Sequence, residues 1–230
     1  MATRPLQGML KRIQMDWLAW EAAAFPLPGV DAHLEFMPYG RTSAEEARSR
    51  GRAGIDFREA AVLLGLEADG RMVLIERTPY EGVHGGQMAL PGGAREEGET
   101  LLDCAMREWR EELGLASNWN ADARPIPLTE IHVAPSGFVV QPFLAPVSLP
   151  KDLSPDPREV AKVDRLQLDD LLHSEHRVEE KIRVGGKGQQ LTLSAPGWRL
   201  ANVPFVWGAT AMMLGELAVI LAEWREQAGD

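Results

Sequence analysis

Residues 90–115 read LPGGAREEGETLLDCAMREWREELGL and hold seven carboxylates. Glu108, Glu111 and Glu112 stand at i, i+3 and i+4, which on a helix places them on one face about one turn apart. Like charges at that spacing destabilise a helix by roughly a few tenths of a kcal/mol per pair unless something positive sits among them. Arg107 and Arg110 could do this through surface salt bridges, and a hard divalent cation could do it by taking the oxygens as ligands. The preceding Pro91-Gly92-Gly93 shifts the balance toward chemistry, because a glycine turn can bring carbonyl oxygens or N–H groups up to an ion or a phosphate.

Such a cluster needs elements to hold it. The stretch GETLLDCAMREWREEL has no proline, is rich in helix formers and stops at Gly114, so it predicts a helix. Upstream, EAAVLLGLE and RMVLIER flank Ala68-Asp69-Gly70, a hairpin signal. Downstream, TEIHVAPSGFVVQPFLAPVSL is β-rich and KIRVGGKGQQLTL suggests a second hairpin. Its GGKG lacks the spacing of a phosphate loop and reads as a turn. Val206 to Glu226 carries apolar residues at helical intervals and predicts a closing helix. At the other end, Leu6, Met9, Leu10, Ile13, Trp17 and Trp20 form an amphipathic stripe suited to core cover or to a homodimer contact. Residues from Pro26 to Gly54 read as connection, with a turn or two at SAEEARSR.

The whole chain has 230 residues, 45% hydrophobic and 25% charged, as expected of a folded domain with a full core. Its formal charge of −10, without a long basic run, disfavours nucleic acid as a partner. A small phosphorylated substrate stays compatible if a cation supplies local attraction. The apolar C-terminal stretch is interrupted by Glu216 and too short for a membrane span, so no membrane role is expected. The single cysteine, Cys104, makes no intramolecular disulfide and reads as a small apolar helix residue, consistent with a reducing, cytoplasmic setting.

Counting from Gly93, five residues lead to Glu99, seven more to Arg107-Glu108, and Glu111-Glu112 and Gly114-Leu115 complete the string. This resembles the Nudix box, and all seven of its fixed residues are filled; Trp109 stands where an aliphatic residue is usual. The resemblance implies an α/β/α sandwich with a mixed sheet over about residues 58 to 225, that is, a hydrolase domain at 56–230 behind an N-terminal helical segment at 1–55. It implies Mg²⁺ or Mn²⁺ held by Glu108, Glu111 and Glu112, with the Gly92 carbonyl as an additional ligand. Glu108, Glu112, Glu159 and Arg107 make up the implied catalytic set. Within it, Glu159 on a late loop is the candidate general base, with Glu108 or Glu112 as the alternatives, and Arg107 works with Glu99 as a brace.

Just before the box, VLIERTPYEGVHGGQMALPGG resembles the signature of the coenzyme A pyrophosphatase branch of that family. Leu74, Arg77, His84, Gly86, Ala89, Pro91, Gly92 and Gly93 match in register, while Ile75, Gly82, Met88 and Leu90 depart from it. Gly82 replaces an arginine. The late Trp207-Gly208-Ala209-Thr210-Ala211 resembles the same branch's helix start. The resemblance therefore implies a small diphosphate substrate, coenzyme A or acyl-CoA, met by Arg77, His84, Gly86 and Gly93. The competing expectations are ADP-ribose, a dinucleotide or a nucleoside polyphosphate, and a non-catalytic ligand-binding module; the intact carboxylates oppose the last.

Overall fold

The computed structural model describes residues 27–38, 57–79, 85–133, 136–184 and 191–227. The N-terminal apolar stripe, SAEEARSR, His84 and the GGKG turn lie outside the described residues.

Strand β1 (Arg58–Glu67) is buried over its last eight residues, which accounts for its unbroken apolar run: a strand covered on both faces does not alternate. It pairs in parallel with β7 (Phe138–Val147) over its whole length, from Arg58↔Phe138 to Glu67↔Val147. On the other side it meets β2 (Arg71–Arg77) antiparallel through the Asp69-Gly70 hairpin, where Gly70 takes φ +88°. The short strands β3 (Met88–Ala89) and β4 (Gly92–Ala94) pair with β2 and β1 respectively. Strands β5 (Ile126–Pro127) and β6 (Ile131–Val133) pair with β7, and β8 (Val160–Gln167) pairs antiparallel with β2. The mixed sheet thus combines one parallel pair with antiparallel neighbours. A second sheet, β11-β10-β9, comprises β9 (Arg177–Val184), β10 (Leu191–Trp198) and β11 (Val206–Trp207), and contains the second hairpin expected from sequence.

Alternate residues of the main sheet enter two apolar clusters. Leu63, Val73 and Ile75 pack with Cys104, Ala105, Trp109 and Leu113 of helix α2 (Leu101–Leu113). Leu64, Leu66, Met72 and Leu74 pack with Leu214, Leu217 and Leu221 of helix α3 (Gly208–Gln227). The sheet is therefore sandwiched between α2 and α3, the α/β/α arrangement expected. Trp109 fits on the α2 side because position 65 is glycine: a Cβ there would come 2.5 Å from the Trp109 Cη2 and 2.8 Å from its Cζ2. The Trp109 ring also stacks near Trp119, at 6.0 Å between centroids.

Besides β8, which the sequence reading did not include, two features depart from it. The segment read as connection includes a short helix, α1 (Val30–Leu34), which packs on α3. There His33 Nε2 lies 3.2 Å from the buried Glu216 Oε2, and the Thr129 N–H and hydroxyl donate to the same carboxylate. Phe36 fills the notch left by Gly215 and stacks on Trp198 at 4.7 Å. Glu216, the break in the apolar stretch, is thus a buried acceptor. Second, Gly92-Gly93 is strand rather than turn. A Cβ on Gly92 would collide with the Ala61 carbonyl, so glycine is required by the closeness of β1.

Candidate active site

Helix α2 is delimited as its sequence implies. The Thr100 hydroxyl caps its first turn by accepting the Asp103 N–H at 3.1 Å. Gly114 ends it at φ +63°, against the Ser154 backbone where a side chain has no room. One face buries Cys104, Trp109 and Leu113, and the other turns Glu108, Glu111 and Glu112 toward β4 and solvent to different depths. Their side chains are 17%, 58% and 4% exposed.

Arg107 is the hub of the outer half. Its Nε and Nη2 donate to both oxygens of Glu99 at 2.9 and 3.1 Å, and Nη2 also reaches the Ala94 carbonyl at 3.2 Å. Its Nη1 is shared by Glu108 at 2.8 Å and Glu111 at 3.1 Å. These bonds hold Glu99 below the usual carboxylate range and push the guanidinium pKa up. Glu99 also accepts the Glu96 N–H, and Arg95 donates to the Glu99 carbonyl and to Glu59 of β1. Loop, helix and sheet are joined at this point through Arg107, Glu99 and Arg95.

The inner half centres on Glu112. Its Oε2 accepts the Gly92 N–H at 2.8 Å, and its Oε1 lies 3.7 Å from Arg77 Nη2. The same Arg77 Nη2 donates to the Gly92 carbonyl at 3.0 Å. Burial pushes the Glu112 carboxyl up to about 7; Arg77 and the Gly92 N–H oppose this, while Glu108 and Glu159 add repulsion. Glu108 is also raised, first by burial, with Arg107 opposing and Glu111 and Glu159 adding to the rise. It packs directly against Gly93, whose missing side chain makes room for the carboxylate. Cys104 sits behind this loop with its thiol 3.5 Å from the Gly93 carbonyl; burial pushes it up to about 11, in keeping with an inert core residue.

Glu159 is exposed at the turn before β8 and lies close enough to repel both Glu108 and Glu112. Its backbone carbonyl accepts the Thr78 N–H at 2.9 Å, and the Thr78 hydroxyl donates to Pro157, which pins this turn beside Arg77. Gly86, at φ +71°, donates to the Arg77 carbonyl at 3.0 Å and closes the loop next to it. The structure thus brings together Arg77, Gly86, Gly92, Gly93, Arg107, Glu108, Glu111, Glu112 and Glu159; His84 lies outside the described residues. Sequence reasoning missed Arg95, which carries no periodicity or motif of its own, and gave no role to Thr78, which stands in the coenzyme A-like stretch where serine is usual. It noted Thr210 within a motif without a role: its hydroxyl donates to the Met88 carbonyl at 3.1 Å, tying the start of α3 to the strand that leads into Gly92.

Among the described residues no three acidic, histidine or cysteine side chains converge as a finished metal cage. The carboxylates expected as ligands are neighbours, but one guanidinium lies between Glu108 and Glu111 and another beside Glu112. The donor set nevertheless fits a hard cation. It offers only oxygens, and its members repel one another, with Glu108 and Glu112 both held above the ordinary range.

A sequence model of the NUDIX domain matches residues 56–183, more than half of the chain. The chain belongs to the Nudix family, whose hydrolases act on small diphosphates. It is 31% identical over 182 residues to a Cronobacter sakazakii protein named "Uncharacterized Nudix hydrolase NudL", covering 75% of this chain and 87% of that one. An Escherichia coli protein of the same name is 30% identical over 178 residues, 73% of this chain and 85% of the relative. Among solved structures, a MutT/nudix family protein from Enterococcus faecalis aligns over 96% of this chain and 75% of its own, with 16% identity and a TM-score of 0.48.

Proposed function

We propose that this chain is a cytoplasmic, metal-dependent pyrophosphohydrolase that cleaves the diphosphate of coenzyme A or acyl-CoA, giving 3′,5′-ADP and 4′-phosphopantetheine or its acyl form. The supporting observation is spatial. The two stretches that resemble the coenzyme A branch, residues 73–93 and 207–211, are far apart in sequence, yet the Thr210 hydroxyl binds the Met88 carbonyl within the first stretch.

Glu108, Glu111, Glu112 and the Gly92 carbonyl are the groups that would hold Mg²⁺ or Mn²⁺. Bound there, such an ion would neutralise phosphate oxygens and make the attacking water more acidic. Glu159 is the proposed general base: it is exposed, it carries no ion pair with Arg158, which is engaged with Asp156, and its turn is fixed beside the carboxylates. Arg107 keeps Glu108 and Glu111 at a set spacing, Gly93 gives the Glu108 carboxylate its place, and Gly86, with open space where a side chain would be, leaves room for substrate.

ADP-ribose, dinucleotides and nucleoside polyphosphates form the rival substrate class, favoured by Gly82 where the coenzyme A signature has arginine. Purified protein with Mg²⁺ or Mn²⁺ is to be offered each substrate in parallel, with products identified by mass. Release of 3′,5′-ADP from coenzyme A at the highest kcat/KM supports the assignment. Preference for another diphosphate transfers the activity to that class, and binding without product in any arm indicates a ligand-binding module.

A further inference from the structure

Arg77 was expected to meet substrate, but its guanidinium is already committed. It ends β2 with its side chain 32% exposed, and its Nη2 alone serves both the Gly92 carbonyl at 3.0 Å and the Glu112 carboxylate at 3.7 Å. Glu112 in turn holds the Gly92 N–H. The Gly92 carbonyl and the buried Glu112 carboxylate, which also holds the N–H of the same residue, are therefore gathered around a single positive group. Glu112 also feels two further acids, Glu108 of α2 and Glu159 before β8, whose repulsion Arg77 opposes.

We propose that Arg77 is a positioning residue that acts as a resident cation, holding the same carbonyl and carboxylate oxygens that a divalent ion would take, and so setting the affinity of the site for metal. This rests on the metal assignment made above and extends it to a residue outside the Nudix box. Two positive charges drawn to one pair of oxygens repel each other over a few ångströms in a half-buried site, where screening is weak. Arg77 thus keeps the loop carbonyl and Glu112 in place and weakens the metal's hold on them. A site tuned this way releases its ion more readily than one with the carboxylates alone.

Arg77→Gln keeps a donor for the Gly92 carbonyl and removes the charge; Arg77→Lys keeps the charge. Mn²⁺ affinity is measured by calorimetry and by the paramagnetic signal of free Mn²⁺, alongside melting in chelator and in saturating Mn²⁺. Arg77→Gln is expected to bind Mn²⁺ about ten-fold tighter than the parent, as loss of one nearby like charge implies. It should melt lower in chelator and show a larger rise on adding Mn²⁺, while Arg77→Lys stays near the parent in affinity. Unchanged or weaker Mn²⁺ binding by Arg77→Gln overturns the proposal, as does a raised KM with unaltered Mn²⁺ affinity, the mark of a substrate contact. If Arg77→Gln does not fold, a Mn²⁺ affinity within two-fold of the parent for Arg77→Lys supports the proposal, and a large change overturns it. The parent protein separates the two readings: no Mn²⁺ binding there removes the metal assignment and this inference together, whereas binding without tightening in Arg77→Gln removes this inference alone.

Discussion

Glu112→Gln should make the metal-free protein more stable at alkaline pH while disabling it. The buried Glu112 carboxyl titrates at about 7 in the fold against an ordinary 4.5, a gap worth about 3 kcal/mol. Below pH 4.5 both folded and unfolded chains carry the proton, and the group then contributes its full share of stability. As pH rises the unfolded chain releases the proton first, so the folded state loses stability across the window from about 4.5 to 7 and stays at the lower level above it. Glutamine at 112 can still accept the Gly92 N–H through its amide oxygen and never ionises. The variant should therefore match the parent near pH 4 and exceed it by up to about 3 kcal/mol at pH 8, or roughly 6–12 °C in melting temperature for a domain of this size. Melting curves by circular dichroism in chelator, taken at half-unit steps between pH 4 and 8, measure the gap. The same variant should lose turnover and its Mn²⁺-dependent rise in melting temperature, because an amide is a poor metal ligand. A gap that does not change with pH, or a variant less stable than the parent at pH 8, would refute this account of Glu112.

Glu111→Gln, on an exposed side chain with one ion pair to Arg107, should alter stability by no more than about 0.5 kcal/mol yet reduce kcat by about 100-fold, equivalent to about 3 kcal/mol of barrier; near-normal turnover would remove Glu111 from the metal set. Gly65→Ala forces a methyl into the Trp109 ring and should cost about 1–3 kcal/mol in urea unfolding, with Trp109→Leu in the same chain recovering part of the loss. Glu216→Ala strips the Thr129 N–H and hydroxyl and His33 of their buried acceptor and should destabilise the fold by about 3 kcal/mol, with kcat unchanged in the protein that remains folded.

Much of this architecture was legible in the residue order because local chemistry and tertiary demand agree. Asp69-Gly70 and Gly114 are punctuation whose meaning depends on a few neighbouring residues, and the elements that they delimit form as read. The carboxylate spacing was equally informative, since a helical period alone puts Glu108, Glu111 and Glu112 on one side. The fate of each charge was not legible. Which acid goes inward depends on where β4 passes, and the Gly92 N–H that captures Glu112 is twenty positions away. Strand β8 was missed because Lys162, Asp164 and Arg165 interrupt its apolar pattern; it is held instead by the long antiparallel register with β2. Helix α1 was missed because five residues carry almost no periodicity, and its stability comes from α3 beneath it. The glycine pair read as a turn is strand for a similar reason: steric room beside Ala61 and Glu108, not a reversal of direction, is what those positions supply.

The stretch recognised by the NUDIX sequence model stops at residue 183, whereas the wall that closes the far side of the sheet is α3, clasped from above by Phe36 and His33. A gene trimmed to the recognised boundaries would encode every acid of the candidate site and still leave Leu64, Leu66, Met72 and Leu74 facing water. The self-sufficient unit is therefore wider than the signature that reveals it and takes in both α1 and α3.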